Sequence, residues 1–99
     1  MNENEIIIDE ICITPIKPQP GGLVAFASCI INKHFYIGNI AIYTAMFSEY
    51  NYRLVYPNKI LSNGKEVSCI HPINKNIGEA MIEAIVGEYQ NLINNQKTQ

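Results

Sequence analysis

The sequence predicts an α+β domain: an antiparallel β-sheet of about five strands followed by one C-terminal α-helix, assembled as a dimer. Three observations predict it. Between Ile6 and His71 the apolar residues come in short β-branched or alternating runs, punctuated by Pro, Gly and Asn. From Ile77 to Ile93 the pattern changes, and Ile77, Met81, Ala84, Ile85, Tyr89 and Leu92 fall at helical spacing. The change is made at Cys69-Ile70-His71-Pro72-Ile73-Asn74. A residue before proline is pushed to extended geometry, so His71 is expected to close a strand, and Pro72 lacks the N–H that would continue it.

Taken in order, Ile6 to Thr14 is β-branched and reads as the first strand. Pro15, Pro18 and Pro20 with Gly21-Gly22 form a stiff extended connector ending in a turn. Leu23 to Asn32 is the second strand and is apolar on both faces, which places it centrally with something packed on each side. Asn32-Lys33 turns the chain into a third strand, His34 to Ala45, in which Gly38 signals a bulge or a bend. Met46 to Asn51 reads as a loop, and Tyr52 to Tyr56 as a short fourth strand stopped by Pro57. Asn58 to Lys65 reads as a polar loop around Ser62-Asn63-Gly64, and Glu66 to His71 as the fifth strand. Asn76 and Glu79 have the spacing of a helix N-cap and its capping-box partner. Gly87 within the helix costs on the order of 1 kcal/mol against Ala.

The 99 residues make one domain, with an ordered core over about 6–93 and tails at 1–5 and 94–99. At 47% hydrophobic and 16% charged residues the chain is globular. No apolar run approaches the roughly 18 residues of a membrane helix, and the acidic Met1 to Glu5 is unlike a secretory signal. A cytoplasmic location is expected, and Cys12, Cys29 and Cys69, odd in number and widely spaced, are expected as free buried thiols. The net charge of −2 argues against a strongly electrostatic partner. Its distribution is uneven: from Ile11 to Gly78 six basic residues face two acidic ones, a balance of +4.

One helix can shield only one face of a two-faced sheet, so a second subunit is expected to cover the other. No catalytic constellation is evident, and an enzyme is not expected. Cys69 and His71 share a strand face, but no third group orients them, and a buried Cys beside a His bonded to backbone is the simpler reading. A thiol-dependent enzyme would require Cys69 to be exposed and acidified. The Cys and His spacings do not form a metal site, and no cofactor is expected. Tyr36, Tyr43, Tyr50, Tyr52 and Tyr56 are either base-stacking groups or ordinary half-buried strand residues.

The order of several short motifs resembles the stage V sporulation protein G (SpoVG) family, the septation regulators. The residues carrying the resemblance are Ala25-Phe26-Ala27-Ser28, His34-Phe35-Tyr36-Ile37, Pro57-Asn58-Lys59, Gly64, Ile70-His71-Pro72-Ile73-Asn74 and, closing the helix, Glu88-Tyr89. The similarity spans most of Ile6 to Leu92. It implies a small bacterial homodimer that takes part in control of cell division, sporulation and gene expression and binds DNA or RNA. On this reading Lys59 and Lys65, flanking one turn, with Arg53 on the neighbouring strand, meet successive phosphates, while His71, Pro72 and Asn74 set the strand-to-helix corner. The chain departs from the family pattern at Ile60, Val67 and Ile11-Cys12-Ile13, where basic residues are usual. The alternative is therefore a dimeric protein-interaction adaptor in which the weakened basic set no longer contacts nucleic acid, leaving Lys59 and Lys65 as solvated loop lysines.

Overall fold

The computed structural model describes residues 6–46 and 48–97. Four strands, β1 (Ile8–Pro15), β2 (Leu23–Ile31), β3 (Phe35–Thr44) and β4 (Tyr52–Val55), form an antiparallel sheet in the order β1-β2-β3-β4. A separate two-stranded hairpin, β5 (Asn58–Ile60) and β6 (Glu66–Ser68), follows, and then the helix α1 (Lys75–Lys97). The fold is α+β as expected, but the main sheet has four strands and the described residues form six.

Each turn has a local cause. Asn32 and Lys33 both take left-handed φ values, 50° and 63°, which is the tight hairpin geometry that matches strand twist, closed by His34 N–H donating to Ile31 C=O at 3.0 Å. Gly22 sits at φ 92° where the connector meets the end of β3, and its carbonyl accepts from Thr44 N–H at 2.9 Å. An added Cβ there would lie 2.5 Å from Thr44 Oγ1, so both the backbone angle and the space require glycine.

The helix lies across one face of the sheet and packs against the inward row Ala25, Ala27, Cys29, Ile37, Ile40 and Ile42. Its buried stripe is Met81, Ile85, Val86 and Tyr89, with Ile40, Ile42 and Ile85 fully enclosed. Small residues on β2 bring the helix close, and larger ones on β3 fill the space between. Ile8, Ile11 and Ile13 of β1 and Tyr52 and Leu54 of β4 close the core on either side. Tyr52 and Tyr89 meet edge to face, their ring centres 5.5 Å apart.

Six expectations are corrected. Asn58 to Lys65 is not a loop throughout, because Asn58–Ile60 pairs with β6. The fifth strand does not reach His71 or join the main sheet: β6 ends at Ser68, and His71, exposed, shares a 2.7 Å hydrogen bond between its Nδ1 and Ser68 Oγ instead of bonding backbone. Cys12 and Cys69 are exposed, and only Cys29 is buried. The helix begins earlier, capped by Asn74, whose Oδ1 accepts from Ile77 N–H at 2.9 Å, while Glu79 pairs with Lys75 at 3.8 Å. It also ends later, at Lys97, running past Ile93 into the stretch 94–99 expected as a tail. Residues 1–5, Phe47 and 98–99 lie outside the described residues, so the N-terminal tail and part of the Met46–Asn51 loop go unassessed.

Candidate nucleic-acid interface

Lys59 and Lys65 lie on the β5–β6 arm. The arm is built by a short register, Asn58↔Ser68, Lys59↔Val67 and Ile60↔Glu66, and closed by Leu61 N–H donating to Lys65 C=O at 2.8 Å. Asn63 Oδ1 accepts from Lys65 N–H at 3.0 Å and braces the turn. Alternation puts Lys59 on the face opposite Asn58 and Glu66, which bond each other at 3.1 Å. Residues 58–71 are exposed throughout. The radius of gyration, 14.4 Å, exceeds the about 13 Å of a compact chain this long, consistent with an arm that stands off the body.

Arg53 is elsewhere. It belongs to β4 of the main sheet, on the face away from the helix, with its guanidinium carbon 4.4 Å over the centre of the Tyr43 ring. Of the sequence-predicted basic set, the structure therefore joins Lys59 and Lys65 on one hairpin and gives Arg53 to a different sheet. No ion pair engages any of the three among the described residues.

The five tyrosines separate just as clearly. Tyr52 and Tyr56 face the helix side and belong to the core's margin. Tyr50 donates from its hydroxyl to Glu83 Oε1 at 3.0 Å, which pushes its pKa up to about 12. Tyr36 and Tyr43 remain on the open face. Pro72 and His71 line a small apolar pocket of about 100 Å³ with Ile31, Ile37, Tyr56 and Met81. The Tyr56 hydroxyl is enclosed and has no hydrogen-bond partner among the described residues. Burial, with a lesser contribution from Cys29, pushes its pKa up to about 12.

Apolar exposure does not fall where the two-faced sheet suggested. On the open face Phe26 and Tyr36 are the large exposed groups, whereas Ile60, Leu61, Val67, Ile70 and Ile73 are all exposed on the arm and the junction. Ala41 on the open face is only 7% exposed, standing between Phe26 and Val55 in the strand register. No cluster of three His, Cys, Asp or Glu side chains that would hold a metal ion occurs among the described residues. No described helix is long and apolar enough to cross a membrane.

The arrangement defines a class by geometry: a one-helix α+β domain with an open sheet face and a protruding basic hairpin. No model of a known protein family matches the chain, and no characterised protein matches it by sequence.

The bulge in β3 also makes a site that the sequence signalled only through Gly38. Between the pairs Ala27↔Ile40 and Cys29↔Ile37, two residues, Gly38 and Asn39, stand opposite Ser28 alone, and Asn39 takes φ 56°.

Proposed function

We propose that this protein is a homodimeric bacterial regulator of the SpoVG type that binds DNA or RNA with modest affinity through the β5–β6 arm, in the control of gene expression, septation or sporulation. The observation that carries the reading is the arm itself: a solvent-surrounded hairpin outside the main sheet, with Lys59 and Lys65 unpaired among the described residues. Lysines on such a support reach phosphates without giving up an internal partner. A second copy doubles those contacts, and the exposed apolar residues of the arm and junction supply a surface for it. In this reading the protein acts in the cytoplasm and is not an enzyme.

The adaptor reading is favoured by one specific observation, the 66% and 86% exposure of Ile60 and Ile73, which suits a protein partner better than a phosphate chain. Fluorescence anisotropy with labelled DNA and RNA, at low and at physiological salt, separates the two. Two lysine–phosphate contacts per chain give a log–log salt slope of roughly −1.4 to −1.8, doubled in a dimer, and each lysine removed in Lys59→Ala/Lys65→Ala reduces its magnitude by about 1 per chain. Absence of binding to either polymer at low salt overturns the regulator and leaves the adaptor.

A further inference from the structure

The open face carries a second feature, distinct from the arm. Tyr36 and Gly38 are two apart on β3, and the tyrosine ring lies against the bare glycine: a Cβ on Gly38 would be 2.8 Å from Tyr36 Oη and 3.0 Å from a ring carbon. The ring is thereby seated on the backbone while the side chain remains 69% exposed. Beside it is a pocket of about 150 Å³ lined by Tyr36, Phe26, Cys12, Thr14, Ser28 and Asn39. The bulge is what brings Asn39 to this wall: counted from Ile37, which points to the core, unbroken alternation would turn Asn39 to the core as well.

The lining has a definite chemistry. Two hydroxyls and one carboxamide each offer a donor and an acceptor, and none of them is taken up by another side chain or the backbone among the described residues. The two aromatic side chains supply apolar contact. The volume is well below that of a drug-sized site and suits one ring system. A flat ring with hydrogen-bonding groups along its edge satisfies both halves of this lining. An aliphatic side chain would leave the polar groups unmet.

We infer that this pocket binds a nucleobase, stacked on Tyr36 and hydrogen-bonded at its edge by Asn39, Ser28 and Thr14. A free nucleotide and an unpaired position in a single strand both present such a base; only the second source rests on the regulator reading. Stacking of this kind tolerates any base, and the carboxamide and hydroxyls then favour some bases over others.

The test uses the full chain labelled with ¹⁵N. It is titrated with each of the four nucleoside monophosphates and, separately, with a single-stranded oligonucleotide. The variants are Tyr36→Ser, which removes the platform, and Asn39→Gly, which removes the carboxamide and keeps the left-handed backbone. The spectrum of each free variant reports its fold. The expected result is that amide shifts on adding nucleotide cluster at Thr14, Ser28, Tyr36, Gly38 and Asn39, with affinity reduced roughly ten-fold or more in Tyr36→Ser. Shifts there with mononucleotides and none with the oligonucleotide support the pocket while the regulator reading fails. Oligonucleotide shifts confined to the Lys59–Lys65 arm, with no mononucleotide shift at the pocket residues, overturn the pocket while that reading stands. No shift in the pocket with either probe overturns it as well.

Discussion

Replacing Tyr56 by Phe is expected to stabilise the protein. The Tyr56 hydroxyl is enclosed without a hydrogen-bond partner among the described residues, at the margin of the core where its ring packs near Cys29 and Met81. A buried polar group left unsatisfied costs about 1–3 kcal/mol against its hydrated state, and phenylalanine keeps the ring while removing the group. Loss of the oxygen also removes some packing, so the net gain expected is about 1 kcal/mol. For a domain of this size that corresponds to a rise of roughly 4–8 °C in Tm. Urea denaturation followed by tyrosine-independent far-UV circular dichroism measures it at equilibrium, with an unchanged m-value showing that only stability moved. The pH dependence supplies a second check. Burial raises the Tyr56 pKa to about 12, from the ordinary 10. Stability is thus insensitive to this group below pH 10 and falls as pH rises from 10 towards 12, because the unfolded chain ionises first. Tyr50 and Tyr89, also shifted upwards, add to the same decline. The Phe variant must show a shallower fall over that window. A destabilisation of 1 kcal/mol or more at neutral pH, with an unaltered alkaline slope, would refute the reasoning and mean that the hydroxyl has a partner.

Two further substitutions test how the chain is held at its corners. Asn74→Ala removes the side-chain acceptor for Ile77 N–H and is expected to cost about 1 kcal/mol, read as a lower urea midpoint, with Asn74→Asp retaining most of the stability. Asn76→Ala, at the position the sequence spacing favoured, should be close to neutral in the same assay. Gly22→Ala forces a side chain into φ 92° and against Thr44, and is expected to destabilise by about 2 kcal/mol or more, seen as a thermal transition lowered by roughly 10 °C.

The first four strands were legible because their signals are redundant. β2 is apolar on both faces, β3 repeats the alternation, and Asn32-Lys33 and Pro57 mark boundaries that the observed spans, Leu23–Ile31, Phe35–Thr44 and Tyr52–Val55, reproduce closely. The arm was half legible. Its turn was read at Ser62-Asn63-Gly64, but Asn58-Lys59-Ile60 has neither length nor apolar pattern, and only its pairing with Glu66–Ser68 makes it a strand. The helix start was misplaced because both Asn74 and Asn76 are competent caps. The chain takes the first one after Pro72, which leaves Glu79 one turn in and paired with Lys75. For the candidate sites, neighbours in sequence were found and neighbours in space were not. Lys59 and Lys65 share a hairpin, whereas Arg53 is drawn off to Tyr43 by strand alternation. The pocket beside Tyr36 unites β1, β2 and β3, and the one local sign of it was a glycine inside a strand.

The two outer borders of the main sheet bear on how this molecule avoids sticking to others. On one side β1 is interrupted at Glu10, which takes φ 49° and shifts the pairing between Asp9 and Cys12, and it ends at Pro15 with two more prolines close behind. On the other, β4 offers four residues before Pro57. Neither border presents a long, flat row of amides on which a stranger's strand could template itself. Runaway lateral growth into fibrils is thereby discouraged, and the protein can carry greasy side chains on its arm without that hazard.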